Sequence, residues 1–147
     1  MSWGVIQHHF GDRDGLLTAV IEDAVDRLVA SLEELADPER AMDTEALVRA
    51  TWAAFANPKA MAGLEILIAA KDLRGGLGGQ HMERLGAALA ALIARLNTGT
   101  NGDHAVALGM LLWTTPVAMM LAEMFSTPPL TKSEAQKAIA KLIDEHR

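Results

Sequence analysis

The strongest constraint on this chain is an uncharged run of 18 residues, AVALGMLLWTTPVAMMLA, at positions 105–122. A helix made of such a run is apolar around its whole circumference, so something must enclose it: lipid, its own chain or a second copy. Thr114-Thr115-Pro116 interrupts the run, Gly109 dilutes it, and no cluster of Lys or Arg flanks it. A membrane span wants about 20 apolar residues and basic flanks. The expectation is therefore a helix buried in protein, capped by Asp103. Pro116 should kink or split it, because proline removes a backbone donor and crowds the preceding turn.

The other segments also read as helix. Leu17, Val20, Ile21, Ala24, Leu28, Ser31, Leu32 and Leu35 step by threes and fours, an amphipathic stripe opened by Asp12 or Asp14 and stopped at Asp37-Pro38. Residues 43–56 repeat the pattern with Leu47, Val48, Thr51, Trp52 and Phe55, after a cap at Asp43 or Thr44. Asn57-Pro58 starts a helix to about Leu73, and Arg74-Gly75-Gly76-Leu77-Gly78-Gly79 breaks it. An alanine-rich helix covers about 80–97. Thr131-x-x-Glu134 is a capping box that opens the last helix, to about Glu145. No β-branched alternation competes, so the chain is all-α, with about seven helices.

At 147 residues this is one domain, or one domain with part of another. It contains no cysteine, which excludes disulfide frameworks, thiolate metal sites and cysteine nucleophiles. The net charge is −6, and residues 1–40 account for all of it, with nine acids against three bases. Phosphate contacts need Lys and Arg, so the surface of this chain is a poor general ligand for nucleic acid or anionic membrane. No basic start followed by an apolar core marks an export signal, and a cytoplasmic location is expected.

Residues 2–17, SWGVIQHHFGDRDGLL, are similar to the second half of the DNA-binding head of the tetracycline-repressor (TetR) family of bacterial regulators. The resemblance covers residues 2–28. It lies in a short helix with a small residue, Gly, two apolar positions and a His-Phe ending, then a Gly turn, a basic and an acidic residue and a Leu-Leu pair. Gln7 stands where the family usually has Tyr, and Gly15 where Glu is common. Val5, Ile6, His9 and Phe10 share one face, which would pack on a helix-turn-helix unit. Ser2, Trp3, Gln7 and His8 lie largely on the other, which the resemblance would lay into the major groove, with Arg13 reaching a phosphate. Residues 1–15 then read as the remnant of a helix-turn-helix domain, truncated at its N-terminus. Residues 16–147 read as a ligand-binding and dimerisation bundle. The resemblance implies a regulator, commonly a repressor, that is released from a palindromic operator by a small apolar effector. The alternative is a helical small-molecule-binding or interaction domain that never binds DNA.

Candidate ligand-binding residues are Trp52, Phe55, Met61, Met82, Met110, Trp113 and Met120, because flexible, polarisable Met among aromatic rings suits apolar ligands. In the family the last two helices of each subunit pair as a four-helix interface. Leu111, Val117, Leu121, Met124, Ile139, Leu142 and Ile143 would serve that role in a symmetric homodimer. No catalytic residue, metal or cofactor is expected. His8 and His9 are adjacent and point about 100° apart, His81 and His104 are isolated, and no Glu-x-x-His or Gly-x-Ser-x-Gly occurs. The glycine run at 75–79 lacks the Lys-Ser/Thr of a phosphate loop and reads as a connection.

Overall fold

The computed structural model describes residues 8–69, 79–96, 102–125 and 131–146. Most of the described residues are helical, with no strand among them. Residues 8–10 are a helical end, followed by α1 (Arg13–Ala36), α2 (Thr44–Phe55), α3 (Pro58–Ala69), α4 (Gly79–Leu96), α5 (Gly102–Phe125) and α6 (Lys132–Glu145).

Short-range chemistry sets the ends. Asp12 caps α1 by accepting from the Gly15 amide at 2.8 Å. Asp43 caps α2, accepting from the Ala46 amide at 2.6 Å. That leaves Thr44 free to turn inward, where its hydroxyl donates to the Asp144 carboxylate of α6. Asn57 Oδ1 accepts from the Lys59 amide at the start of α3. Thr131 and Glu134 form the full reciprocal capping box of α6. Asp103, expected as a cap, lies inside the first turn of α5, which begins at Gly102. Pro116 does not split α5, which continues through it to Phe125.

α1 is the spine. It packs most extensively on α4 and α3, while α5 lies across α4 and α2, and α6 is seated mainly on α2. The core runs from Val29, Leu32 and Leu35 of α1 through Val48 and Trp52 of α2 to Leu92 of α4, Leu112 of α5 and Ile143 of α6. Small residues permit two close crossings. A Cβ on Gly63 would stand 2.5 Å from the Ala24 Cβ, and one on Gly109 would strike the Ile93 side chain. Side chains larger than hydrogen at either point would force the helices apart.

The far end of α1 is held from outside its own segment. The Arg95 guanidinium of α4 donates to the carbonyls of Leu35 and Asp37, both at 2.6 Å, and to that of Arg40. The last carbonyls of a helix lack intrahelical partners, and a cation there also opposes the helix dipole.

Candidate functional site

The site is built from the inward faces of five helices. α1 contributes Ile21, Ala24, Val25 and Leu28, one stripe spaced by three and four. α3 lays Ala60, Gly63, Leu64 and Leu67 opposite, brought close by the Gly63–Ala24 crossing. α4 adds Met82 and Leu85, α5 adds Trp113, Val117 and Met120, and Phe55 closes the α2 end. The space is about 190 Å³ and partly open to solvent, and every described wall residue is apolar or glycine. For scale, a dry cavity of about 150 Å³ lined by Leu, Ile and Phe holds benzene.

Charge is confined to the rim. Between α1 and α4, His81 sits within 3.9 Å of Glu22 and 3.7 Å of Asp26, and Arg84 binds Asp26 at 2.6 Å. Farther round α1, Asp23 takes two hydrogen bonds from Arg27, at 2.8 and 2.9 Å. Those bonds hold its carboxyl below the ordinary carboxylate range, and the Lys59 charge on α3 adds to the effect. Such a wall has no nucleophile–base pair, and no group of three metal-ligating side chains comes together among the described residues. It can bind an apolar body and exclude water from it.

The residues singled out in the sequence divide around this cavity. Phe55, Met82, Trp113 and Met120 are on its wall, and Val117, expected at a dimer face, joins them there. Trp52 is buried one turn behind Phe55 and does not reach the wall. Met61 borders a separate depression with Ala56, Glu123 and Lys132. Met110, expected to touch ligand, is on the outside of α5 at 48% exposure, beside Leu111 at 42%. Their side of the helix also exposes Ala107, Ala118 and Phe125, a stripe without charge. Within the span Val106–Glu123 only 33% is enclosed by this chain, so α5 is covered on one side. Leu121 is half-buried, and the Met124 side chain lies outside the described residues.

Ile139 and Ile143 are in the core of this chain, 8% and 1% exposed, with Leu142 packed against them. α6 has one apolar stripe, and its seat on α2 uses that stripe. Ile139 and Ile143 therefore have almost no surface left for a second copy. Of the residues assigned to a DNA-facing surface, Ser2, Trp3 and Gln7 lie outside the described residues. His8 and Arg13 are exposed, and Phe10, on the opposite face, is 41% exposed. The glycine run 75–78 is also outside the described residues, whereas Gly79 opens α4.

Sequence reasoning misses Ala60, Gly63, Leu64 and Leu67 of α3 as cavity residues, and takes the α1 stripe only as an amphipathic face. The nearly all-apolar stretch Leu64–Ala70 was the available signal. No protein-family model, curated protein or solved structure matches this chain.

Proposed function

We propose that this chain is the sensing and dimerising body of a TetR-like transcriptional regulator, controlled by a small apolar ligand bound among α1, α3, α4 and α5. One observation carries the reading. The wall of the apolar cavity includes α1, the same helix that is entered directly from the head-like segment at residues 2–12.

The mechanism follows from how α1 is held. Its C-terminal end and the turn after it are tied to α4 by the three Arg95 bonds, one to Leu35 and one each to Asp37 and Arg40, and its middle forms the cavity wall. Residues 21–28 lie about 12–22 Å from Arg13 along the helix, at 1.5 Å per residue. A ligand that spreads α1 from α3 tilts the free N-terminal end about the anchored one. In a dimer, a tilt changes the spacing of two reading heads against successive major grooves. The ligand acts only through its different affinity for the two shapes, a coupling of typically about 1–3 kcal/mol. Dimerisation through the uncharged stripe of α5, around Met110, Leu111, Ala118 and Phe125, would cover an apolar face that a lone chain leaves in water.

A neutral fluorescent probe, N-phenyl-1-naphthylamine, tests the cavity. It should bind saturably, and Ala60→Phe, which fills the space from the α3 wall, should weaken it at least about tenfold. Unchanged binding in that variant would refute the assignment. The second reading, a ligand-binding domain that never contacts DNA, draws on the acidic surplus of residues 1–40. Selection of genomic fragments at low salt separates the two. Recovery of one palindromic sequence, released by probe, supports the regulator; retention of none supports the second reading.

A further inference from the structure

The cavity wall is apolar, yet one turn before its Phe55 stand two buried polar groups with no hydrogen-bond partner among the described residues. Thr51 is 0% and Trp52 2% exposed. Neither Thr51 Oγ1 nor Trp52 Nε1 has a hydrogen-bond partner among the described residues. The Thr51 hydroxyl does not even take the carbonyl one turn back, the usual resort of a helical threonine. Buried polar groups are nearly always satisfied, so two neighbouring exceptions on one helix call for a cause.

Their position supplies one. Residues 51, 52 and 55 share the buried face of α2. Side chains on a helix lean toward its N-terminus, which directs Phe55 to the turn that carries Thr51 and Trp52. Phe55 is also the α2 residue on the cavity wall. Rotation of its ring would join the apolar space to the two unbonded groups. Met120, on the same wall, can repack as the ring swings, because a thioether chain is flexible.

We propose that Thr51 and Trp52 form the polar end of the ligand site, opened by rotation of Phe55, and that they select an uncharged apolar molecule bearing one carbonyl-type oxygen. The inference rests on the ligand-binding reading above. An indole N–H can only donate and a hydroxyl can donate, so each of the two groups suits an accepting oxygen. A cation would meet the indole N–H, which has no lone pair to offer it. A carboxylate would be buried without a countercharge, since Arg49 of the same helix is exposed and paired with Glu45. Rotation of Phe55 would also lengthen the space of about 190 Å³ toward α2.

The test uses the full chain with acetophenone and its hydrocarbon counterpart isopropylbenzene. Both are followed by calorimetry and by the indole N–H signals of ¹⁵N-labelled protein, with Trp52 assigned by its loss in Trp52→Phe. Acetophenone should bind more tightly than isopropylbenzene and move the Trp52 indole proton downfield. Thr51→Val should weaken acetophenone about five- to tenfold, the worth of one buried hydrogen bond, and leave isopropylbenzene within about twofold. Without ligand, Thr51→Val should melt higher by about 3 °C, since it removes an unbonded hydroxyl. If both compounds bind but Thr51→Val affects them alike, or the indole proton stays in place because a retained water holds it, this inference falls and the cavity reading stands. If neither compound binds, both fall.

Discussion

Replacing Arg95 with Met removes the guanidinium through which α4 holds the far end of α1, while keeping most of the apolar stem. The Leu35 carbonyl is part-buried and those of Asp37 and Arg40 are exposed, so the three bonds are not equivalent. Water can replace the two exposed ones, and each then contributes a few tenths of a kcal/mol. The bond to Leu35, whose residue is 4% exposed, leaves a poorly hydrated carbonyl behind and is worth about 1.5–2 kcal/mol. Arg95→Met should therefore destabilise the chain by about 2–3 kcal/mol, lowering Tm by about 6–9 °C. Arg95→Lys should restore less than half of this, because one ammonium cannot span three carbonyls in a fixed fork. Urea unfolding followed by helical circular dichroism measures both, with hydrogen exchange of the amides around Leu35–Arg40 reporting the local release. A loss under about 0.5 kcal/mol, or a Lys variant as stable as wild type, would show that the guanidinium does not anchor α1.

Three further outcomes follow from the same structure. Gly15→Ala places a Cβ 2.1 Å from the Phe10 carbonyl oxygen, so the turn through Gly11, at φ 75°, must open. The expected result is a shift of the amide signals of residues 8–12 with little change in Tm; unchanged signals would contradict the close approach. Leu111→Glu puts a charge into the uncharged outer stripe of α5; if that stripe is the proposed dimer face, sedimentation should show dimer for the parent chain and monomer for the variant at micromolar concentration, with helix content kept. Hydrogen bonds from the Thr131 backbone N–H and then its hydroxyl hold the Glu134 carboxyl below the ordinary range. Its contribution to α6 is therefore present above the usual glutamate pKa and lost as pH falls through the lowered value; in Glu134→Gln, acid titration of the amide signals of residues 132–135 should lose that step.

Residues close in sequence carried much of the reading from sequence alone. The caps at Asp12, Asp43 and Thr131, the stop at Asp37-Pro38 and the start at Asn57-Pro58 each depend on partners within four positions, so the amino-acid order specifies them. The stripes of α1, α2 and α6 likewise have one apolar side, and that side is the buried one.

α5 is different. It is apolar on all sides, so its sequence holds no phase telling inward residues from outward ones. Met110 and Leu111 therefore turn to the outside while Trp113, Val117 and Met120 line the cavity, a choice made by what α4 and α2 present to them. The same holds for Ile139 and Ile143, claimed by the core of their own chain, and for Arg95, whose partners lie 55–60 residues away. The amino-acid order by itself determined the starts of α1, α2, α3 and α6 to within a residue or two and the stop of α1, because those energies are spent within one turn. Only the tertiary structure decided which apolar side chains enclose a cavity, which face water, and which polar groups go unbonded, because each depends on neighbours that the chain meets only after it has folded back on itself.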